Sequence, residues 1–462
     1  MAKKKTSKRV VKKAAKAAKK HPGVAIFLIL LLVVCAVGGY FGYRYYRQQN
    51  PETTFVLNGP NVQNVPLNGR YTERGVTATY NGADVSGKTE ITYYFGDAQT
   101  EVEGVDTSVP GNYRVHYEIS YEKMKEHLSR SVTVLETETA MFSASFLDLG
   151  NQYTGDSVYI KAGDVDILID AGSRSSSAKA IGDFLRKPGN VEDGKLEFVI
   201  ATHAHQDHIA GFVGDNSNPG IFEQFQIDTL IDFPKTGKPT QVLQSYASKR
   251  ETLVNNGTKH FTAKDCVDEA LPGAQKVYSL GAGLSMEILN QKFYVEETND
   301  ENNYSVCTLF THGENHYLFT GDLEKQGEAS LVKMNQLPEV ELFKGGHHGS
   351  YTANTDALLS VIKPKTVCIC CCAGSTEYTK NPLNTFPAQD AITRIAKYTE
   401  NVYVTSLVDE TSEKGYQPFN GTITCSSIAG LGIDDLEIQC SHSNVILKDS
   451  EWFQSHRTWP SS

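Results

Sequence analysis

The stretch Ala201–Gly211 reads ATHAHQDHIAG and places three of the chain's 13 histidines, with one aspartate, inside six positions. Imidazole nitrogens and carboxylate oxygens are the donors that hold borderline divalent cations such as Zn²⁺ or Mn²⁺. His203 and His205 lie two apart directly after the apolar run LEFVI, so in extended backbone both project to one side, as a pair for one cation. Asp207 and His208 follow at the turn into a helix, where a carboxylate and a third imidazole serve a second cation nearby. A polar surface turn that happens to be rich in histidine is the competing reading. Four ligand-type residues at H-x-H-x-D-H spacing after a buried strand argue against it.

Residues so placed need a strand to deliver them and a helix to receive them. From about Met141 onward the chain alternates apolar strands with helical stretches: SVYIKAGDVDILIDAG, SAKAIGDFLRK, LEFVIATHAHQDH, then NHYLFTGDLEKQGEASLVKMNQ. That alternation over about 300 residues predicts an α/β domain, here 142–440, followed by a C-terminal tail, 441–462. Before it, residues 53–136 carry short Val/Ile/Thr/Tyr runs split by Asn-Gly and Pro-Gly turn signals, the pattern of a small all-β sandwich.

The first residues are of another kind. Residues 1–20 hold ten of the 44 Lys and Arg and none of the 54 Asp and Glu, leaving 34 basic against 54 acidic residues in the remainder. Between Lys20 and Arg44 there is no charged residue, and the apolar run is about 20 positions long, enough for a helix to cross a bilayer core. Residues 1–22 therefore read as a basic cytoplasmic tail and 23–43 as a single transmembrane anchor. A cleaved signal peptide, with a shorter apolar region and a small-residue cleavage site, fits less well. The positive-inside rule then puts everything after Arg47 outside the cell.

Two resemblances add to this. PLNGRYTERGVTATYNGADVSGKTEI and VEGVDTSVPGNYRVHYEIS resemble the Ig-like repeats of bacterial surface proteins. In the larger domain five segments match in order: FLDLGNQYTGDSVYIKAGDVDILIDAG, VIATHAHQDHIAGF, ENNYSVCTLF, HYLFTGDLEKQGE and LFKGGHHGSYTANTDALLSVIKPKTV. They resemble the metallo-β-lactamase fold, in the branch of ComEC-type competence proteins and teichoic-acid phosphorylcholine esterases. The resemblance implies an αββα sandwich with two divalent metal ions, Zn or Mn, at one edge between the sheets. Carried over position by position, His203 and His205 hold the first ion with a histidine of GGHHGS, His348 favoured over His347. Asp207 and His208 hold the second, Asp322 bridges both, and Asp170 orients the site from behind.

Two departures stand out. Where the lactamases place a further metal histidine, this chain has Asn303 and Ser305, which speaks against antibiotic hydrolysis. His312 and His316 lie nearby but read as a solvent-exposed hairpin turn. Where competence-type sequences carry His-Pro-His, the chain reads YTKNPLNTFPAQDAI, with Asn381 or Phe386 nearest, so the second ion has one ligand fewer.

The chemistry expected of two such ions is hydrolysis of a phosphodiester by an activated water, with Asp207 also managing its proton and with Lys344 and Tyr351 placed to meet a phosphate. The acidic remainder disfavours strong non-specific nucleic-acid binding, which needs clustered Lys and Arg. A cell-envelope polymer fits better as partner. A wall-binding receptor with a degenerate hydrolase domain is the alternative. Of the nine cysteines, Cys370, Cys371 and Cys372 read as small buried hydrophobes, Cys35 falls in the anchor, and Cys425 with Cys440 stand where a cross-link is conceivable.

Overall fold

The computed structural model describes residues 50–460, apart from 59–60, 66, 68–70, 97, 136–140, 238 and 282. The basic tail and the anchor at 23–43 lie outside the described residues. Among the described residues no helix is long and apolar enough to cross a membrane. The chain divides into two compact units, the first ending at Val134 and the second running from Leu135, with Asn64–Gly69 grouped with the second.

The described residues of the first unit form two β-sheets. Thr53–Leu57, Val76–Tyr80 and Ala83–Asp84 form one sheet; Val62–Val65, Met124–Val134, Gly111–Tyr121, Thr89–Phe95 and Thr100–Val102 form another. In Gly111–Tyr121 the pattern alternates, with Tyr113, Val115, Tyr117 and Ile119 buried and their neighbours exposed. Ala78 and Val85 of the first sheet region pack against Ile119 and Met124 of the second. Arg130 is fully buried and reaches Glu73 at 3.2 Å, whose carboxylate also accepts from Tyr117 Oη at 2.6 Å. The charge is thus neutralised inside the unit.

The second unit is built on two eight-stranded sheets. Phe142 stacks on Tyr317 at 4.1 Å and Phe146 on Phe319 at 6.1 Å, so the sheets face each other through their inner side chains. Helices cover the outer faces: Ile181, Leu185, Phe212 and Tyr246 pack with the first sheet, and Leu331, Leu359, Ile392 and Phe453 with the second. This is the expected αββα layering. Residues 441–460, expected as a tail, belong to the unit: Trp452 and Phe453 join the outer core and Arg457 Nη2 donates to Thr385 O at 2.9 Å. Their apolar residues are too few to read as an element in sequence, and only the second sheet's helix face gives them a partner.

Strand Thr366–Ala373 is buried along its whole length. Cys368 and Cys370 face the inter-sheet core, while Val367, Ile369 and Cys371 face the helices. A strand covered on both faces reads as one apolar run, which is why these cysteines act as small hydrophobes. Every described cysteine is a free thiol.

His312 corrects an expectation. The hairpin between Cys307–His312 and Asn315–Phe319 is there, but His312 is buried and its Nδ1 lies 3.1 Å from Ser427 Oγ. The turn is covered by residues 427–435, more than a hundred positions away, and no local signal announces them.

Within this unit the strands that matter are parallel. Val165–Ile169 pairs in parallel with Lys195–Ile200, and Asn315–Phe319 with Leu342–Lys344. Parallel strands end together, and the carboxyl ends of these four carry Asp170, His203, Asp322 and the GGHHGS turn.

Candidate metal centre

Asp170 follows its strand with φ +59, a left-handed conformation that turns the carboxylate under the neighbouring strand end. There it accepts from Thr202 N at 2.8 Å and Thr202 Oγ1 at 2.7 Å, and its Oδ2 lies 2.7 Å from His208 Nδ1. With Nδ1 donating to Asp170, the other nitrogen of His208 faces Asp322, at 3.0 Å from Oδ2.

Gly321 precedes Asp322 at φ +54, and a Cβ there would stand 2.8 Å from Thr202 Cβ. Glycine is what lets the two strand ends approach. His347 and His348 also have positive φ, +46 and +52. Such backbone costs of order 1–3 kcal/mol per residue and persists only where its surroundings hold it. Asn354 does so, accepting from Gly346 N at 2.8 Å and donating to Gly346 O at 2.9 Å.

The result is that four ligand atoms, one each from Asp207, His208, Asp322 and His348, lie within 4.8 Å of one another, all buried. His348 Nδ1 lies 3.0 Å from the Cys370 carbonyl, which can only accept, so the ring presents Nε2 to the cluster. That nitrogen is buried without a hydrogen-bond partner, 3.2 Å from Asp322 Oδ2 and 3.4 Å from Asp207 Oδ2. Ligands at roughly 2.1 Å around a tetrahedral cation stand about 3.4 Å apart. The donor set fits a divalent metal ion.

The electrostatics agree. Asp156, Asp170, Asp207 and Asp322 are buried together, with Lys344 as the buried ammonium among them. Burial alone would push Lys344 down, yet Asp156 and Asp322 hold it above the usual lysine range. Burial likewise opposes charge on His208 and His348. The carboxylates of Asp322 with Asp170, and of Asp322 with Asp156, outweigh it and hold both imidazoles well above their ordinary range. For His203, burial and then the neighbouring His208 outweigh the opposing pull of Asp322 and push the imidazole well below its ordinary range. A cavity that pulls protons onto its histidines calls for positive charge.

The structure partitions the expected ligands differently. His348 stands with Asp207, His208 and Asp322, while His203 and His205 form a neighbouring pair, Nε2 to Nδ1 at 3.1 Å. Their expected common side is observed, but the chain turns helical at Gln206 and swings the next two ligands toward the second sheet. Asp322 turns Oδ2 to the histidines and Oδ1 to Lys344 Nζ, 3.4 Å away. His347 lies further out, its Nδ1 on Glu324 Oε1 at 3.1 Å.

Lys344, expected beside the loop to meet a phosphate, is instead buried on its strand, bonded to Gly321 O at 2.9 Å and paired with Asp156. Tyr351 is 48 % exposed and lines a groove with Glu324, Thr352 and Arg394. Ser305, where lactamases have a histidine, accepts from Asp322 N at 3.1 Å, and Asn303 Oδ1 accepts from Gly327 N at 3.2 Å. Both serve the backbone.

Two residues escaped the sequence reading. Asp156, 1 % exposed, lies 3.1 Å from His348 Nδ1. Its signal was an acid in a Gly-Asp turn immediately before an apolar strand. Tyr378 donates from Oη to Asp207 Oδ2 at 2.7 Å and begins the stretch YTKNPLNTFPAQDAI, where the chain has no histidine.

Comparison with known proteins agrees with the geometry. Residues 150–214 match the metallo-beta-lactamase superfamily. ComE operon protein 3 of Bacillus subtilis is 24 % identical over 246 residues, 48 % of this chain and 27 % of that protein. Recombination protein 2 of Haemophilus influenzae is 33 % identical over 87 residues, 19 % of this chain and 10 % of that one. The chain thus spans about a quarter or less of either relative. Among solved structures, a Cronobacter sakazakii metallo-beta-lactamase is 15 % identical, covering 42 % of this chain and 73 % of that one at a TM-score of 0.26. The metallo-beta-lactamase FIM-1 of Pseudomonas aeruginosa, in a mono-zinc form, is 12 % identical, covering 51 % and 70 % at 0.20. With a buried His/Asp cluster of metal-binding composition, the chain carries a metallo-beta-lactamase superfamily domain distantly homologous to ComE operon protein 3 and Recombination protein 2.

Proposed function

We propose that this chain is a metal-dependent hydrolase that cleaves phosphodiesters of the cell envelope, outside the membrane to which residues 23–43 anchor it. The observation that carries the reading is the buried quartet Asp207, His208, Asp322 and His348, with the partnerless Nε2 of His348 aimed into it. Divalent cations held there, with His203 and His205 as a further pair of donors, supply Lewis acidity and activation of water.

The chain's own residues prepare the site. Asp170 holds His208 in the tautomer that faces the cluster, and Lys344 offsets part of the negative charge of Asp156 and Asp322. Asp207, at the first turn of Gln206–Val213, is nearest the surface of the buried carboxylates Asp156, Asp170, Asp207 and Asp322. Ser305 in place of a ligand histidine speaks against β-lactams as substrates. The acidic balance outside the first 20 residues disfavours a bare polyanion and favours an envelope polymer whose charge is partly compensated. Residues 53–136 serve in this reading as an Ig-like spacer.

Metal analysis of the purified full chain, with cleavage of bis-p-nitrophenyl phosphate and of extracted envelope polymers, tests the proposal. Bound divalent metal and turnover abolished by Asp322→Ala, but retained in the surface variant Lys333→Ala, are expected. Metal binding without cleavage of any diester would favour the wall-binding receptor.

A further inference from the structure

Residues 374–386 form a loop closed by Gly374 N donating to Phe386 O at 2.8 Å. It carries no ligand-type histidine, yet it reaches the metal centre. Tyr378 Oη donates to Asp207 Oδ2 at 2.7 Å, and a carboxylate only accepts, so the direction of this bond is set. The Tyr378 ring packs on Phe386 at 5.4 Å, and Phe386 packs on His347 at 5.7 Å and His348 at 5.6 Å. The loop is also pinned from the far side. Glu377 accepts from Thr154 N at 3.1 Å and from Arg174 Nη2 at 2.9 Å, and the Arg174 guanidinium lies 3.8 Å over the Tyr153 ring.

We propose that Tyr378 is a positioning residue of the metal centre, its hydroxyl fixing Asp207 in the rotamer that faces His348 and Asp322. Asp207 stands in the first turn of a helix, where its side chain has other staggered rotamers open to it. Its Oδ2 lies 3.4 Å from His348 Nε2 and 2.7 Å from the Tyr378 hydroxyl. Of these, the phenol is neutral and stays a donor when a cation occupies the cluster. A donor to the outer lone pair of a ligating carboxylate orients it, and loss of such a partner typically costs about 10- to 100-fold in metal affinity or activity. Glu377, Arg174 and Phe386 set the loop and hence the phenol. This inference rests on the reading of Asp207, His208, Asp322 and His348 as metal ligands.

The test is Zn²⁺ affinity of the full chain by competition with a chromophoric chelator, with the visible spectrum of the Co²⁺-substituted protein and the melting temperature of the metal-free protein as companions. Tyr378 is half exposed, so Tyr378→Phe is expected to leave metal-free melting unchanged. Its Zn²⁺ dissociation constant is expected to rise tenfold or more, the Co²⁺ bands to shift, and excess metal to restore turnover. Glu377→Gln, which loosens the loop and leaves the phenol in place, is expected to weaken Zn²⁺ in the same direction and carries the test should Tyr378→Phe melt early. Zn²⁺ affinity within twofold of the parent in both variants, with an unchanged Co²⁺ spectrum, would overturn the role of Tyr378 alone. Failure of the parent chain to bind Zn²⁺ or Co²⁺ would overturn the metal centre itself, a distinct result.

Discussion

Asp170→Asn changes one atom in a part of the site closed to solvent. Asp170 is 1 % exposed and accepts from three donors, Thr202 N, Thr202 Oγ1 and His208 Nδ1, at 2.7–2.8 Å. Asparagine tolerates the left-handed backbone at φ +59, so the fold survives the exchange. It cannot satisfy all three donors, because one oxygen becomes an NH₂. If that NH₂ faces Thr202 N, two donors oppose each other. If it faces His208, the imidazole must accept at Nδ1 and carry its proton on Nε2, the nitrogen that faces Asp322. A lost bond to a charged acceptor and a buried donor left unpaired together cost about 2–4 kcal/mol of stability in the metal-free protein. The tautomer change costs a further factor of about 10–100 in metal affinity. Urea unfolding of the metal-free variant reads the first, and chelator competition for Zn²⁺ reads the second. A variant that loses stability yet binds Zn²⁺ as tightly as the parent would show that Asp170 only supports Thr202, and the orientation argument would fall.

Two further outcomes follow from buried groups away from the ligands. Glu328 is fully buried and burial raises its carboxyl to about 7, although Asn354 N and Thr355 N donate to it. Between the unfolded value near 4.5 and about 7 the folded state holds a proton that the unfolded chain has lost, so stability should fall as pH rises through that window, by up to about 3 kcal/mol. Glu328→Gln should flatten the slope of unfolding free energy between pH 5 and 7.5, and parallel slopes would contradict the assignment. His312→Ala should cost about 1–3 kcal/mol by urea unfolding, since it empties the space of a buried imidazole and removes its contact with Ser427, while metal stoichiometry stays as in the parent. Loss of metal with unchanged stability would instead make His312 a ligand.

What was legible in the sequence is what local chemistry encodes. The spacing of His203, His205, Asp207 and His208 follows from one strand end running into one helix, and the α/β class follows from strands that alternate with helices, the αββα layering having been implied by the family resemblance. The buried cysteines of Thr366–Ala373 were readable because a strand covered on both faces must be apolar throughout. Tertiary structure decided the rest. That His348 joins Asp207 and Asp322 while His203 keeps to His205 depends on where the second sheet ends against the first. Lys344 turned inward because two buried carboxylates, Asp156 and Asp322, meet at its strand end, and neither is near it in sequence. His312 is buried by a segment more than a hundred residues away, and Tyr378 reaches Asp207 from 171 positions along the chain. Periodicity and motif spacing describe a residue's own element. Which charges and rings share a cavity is set only when distant elements pack, because desolvation and hydrogen bonding act through space and not along the chain.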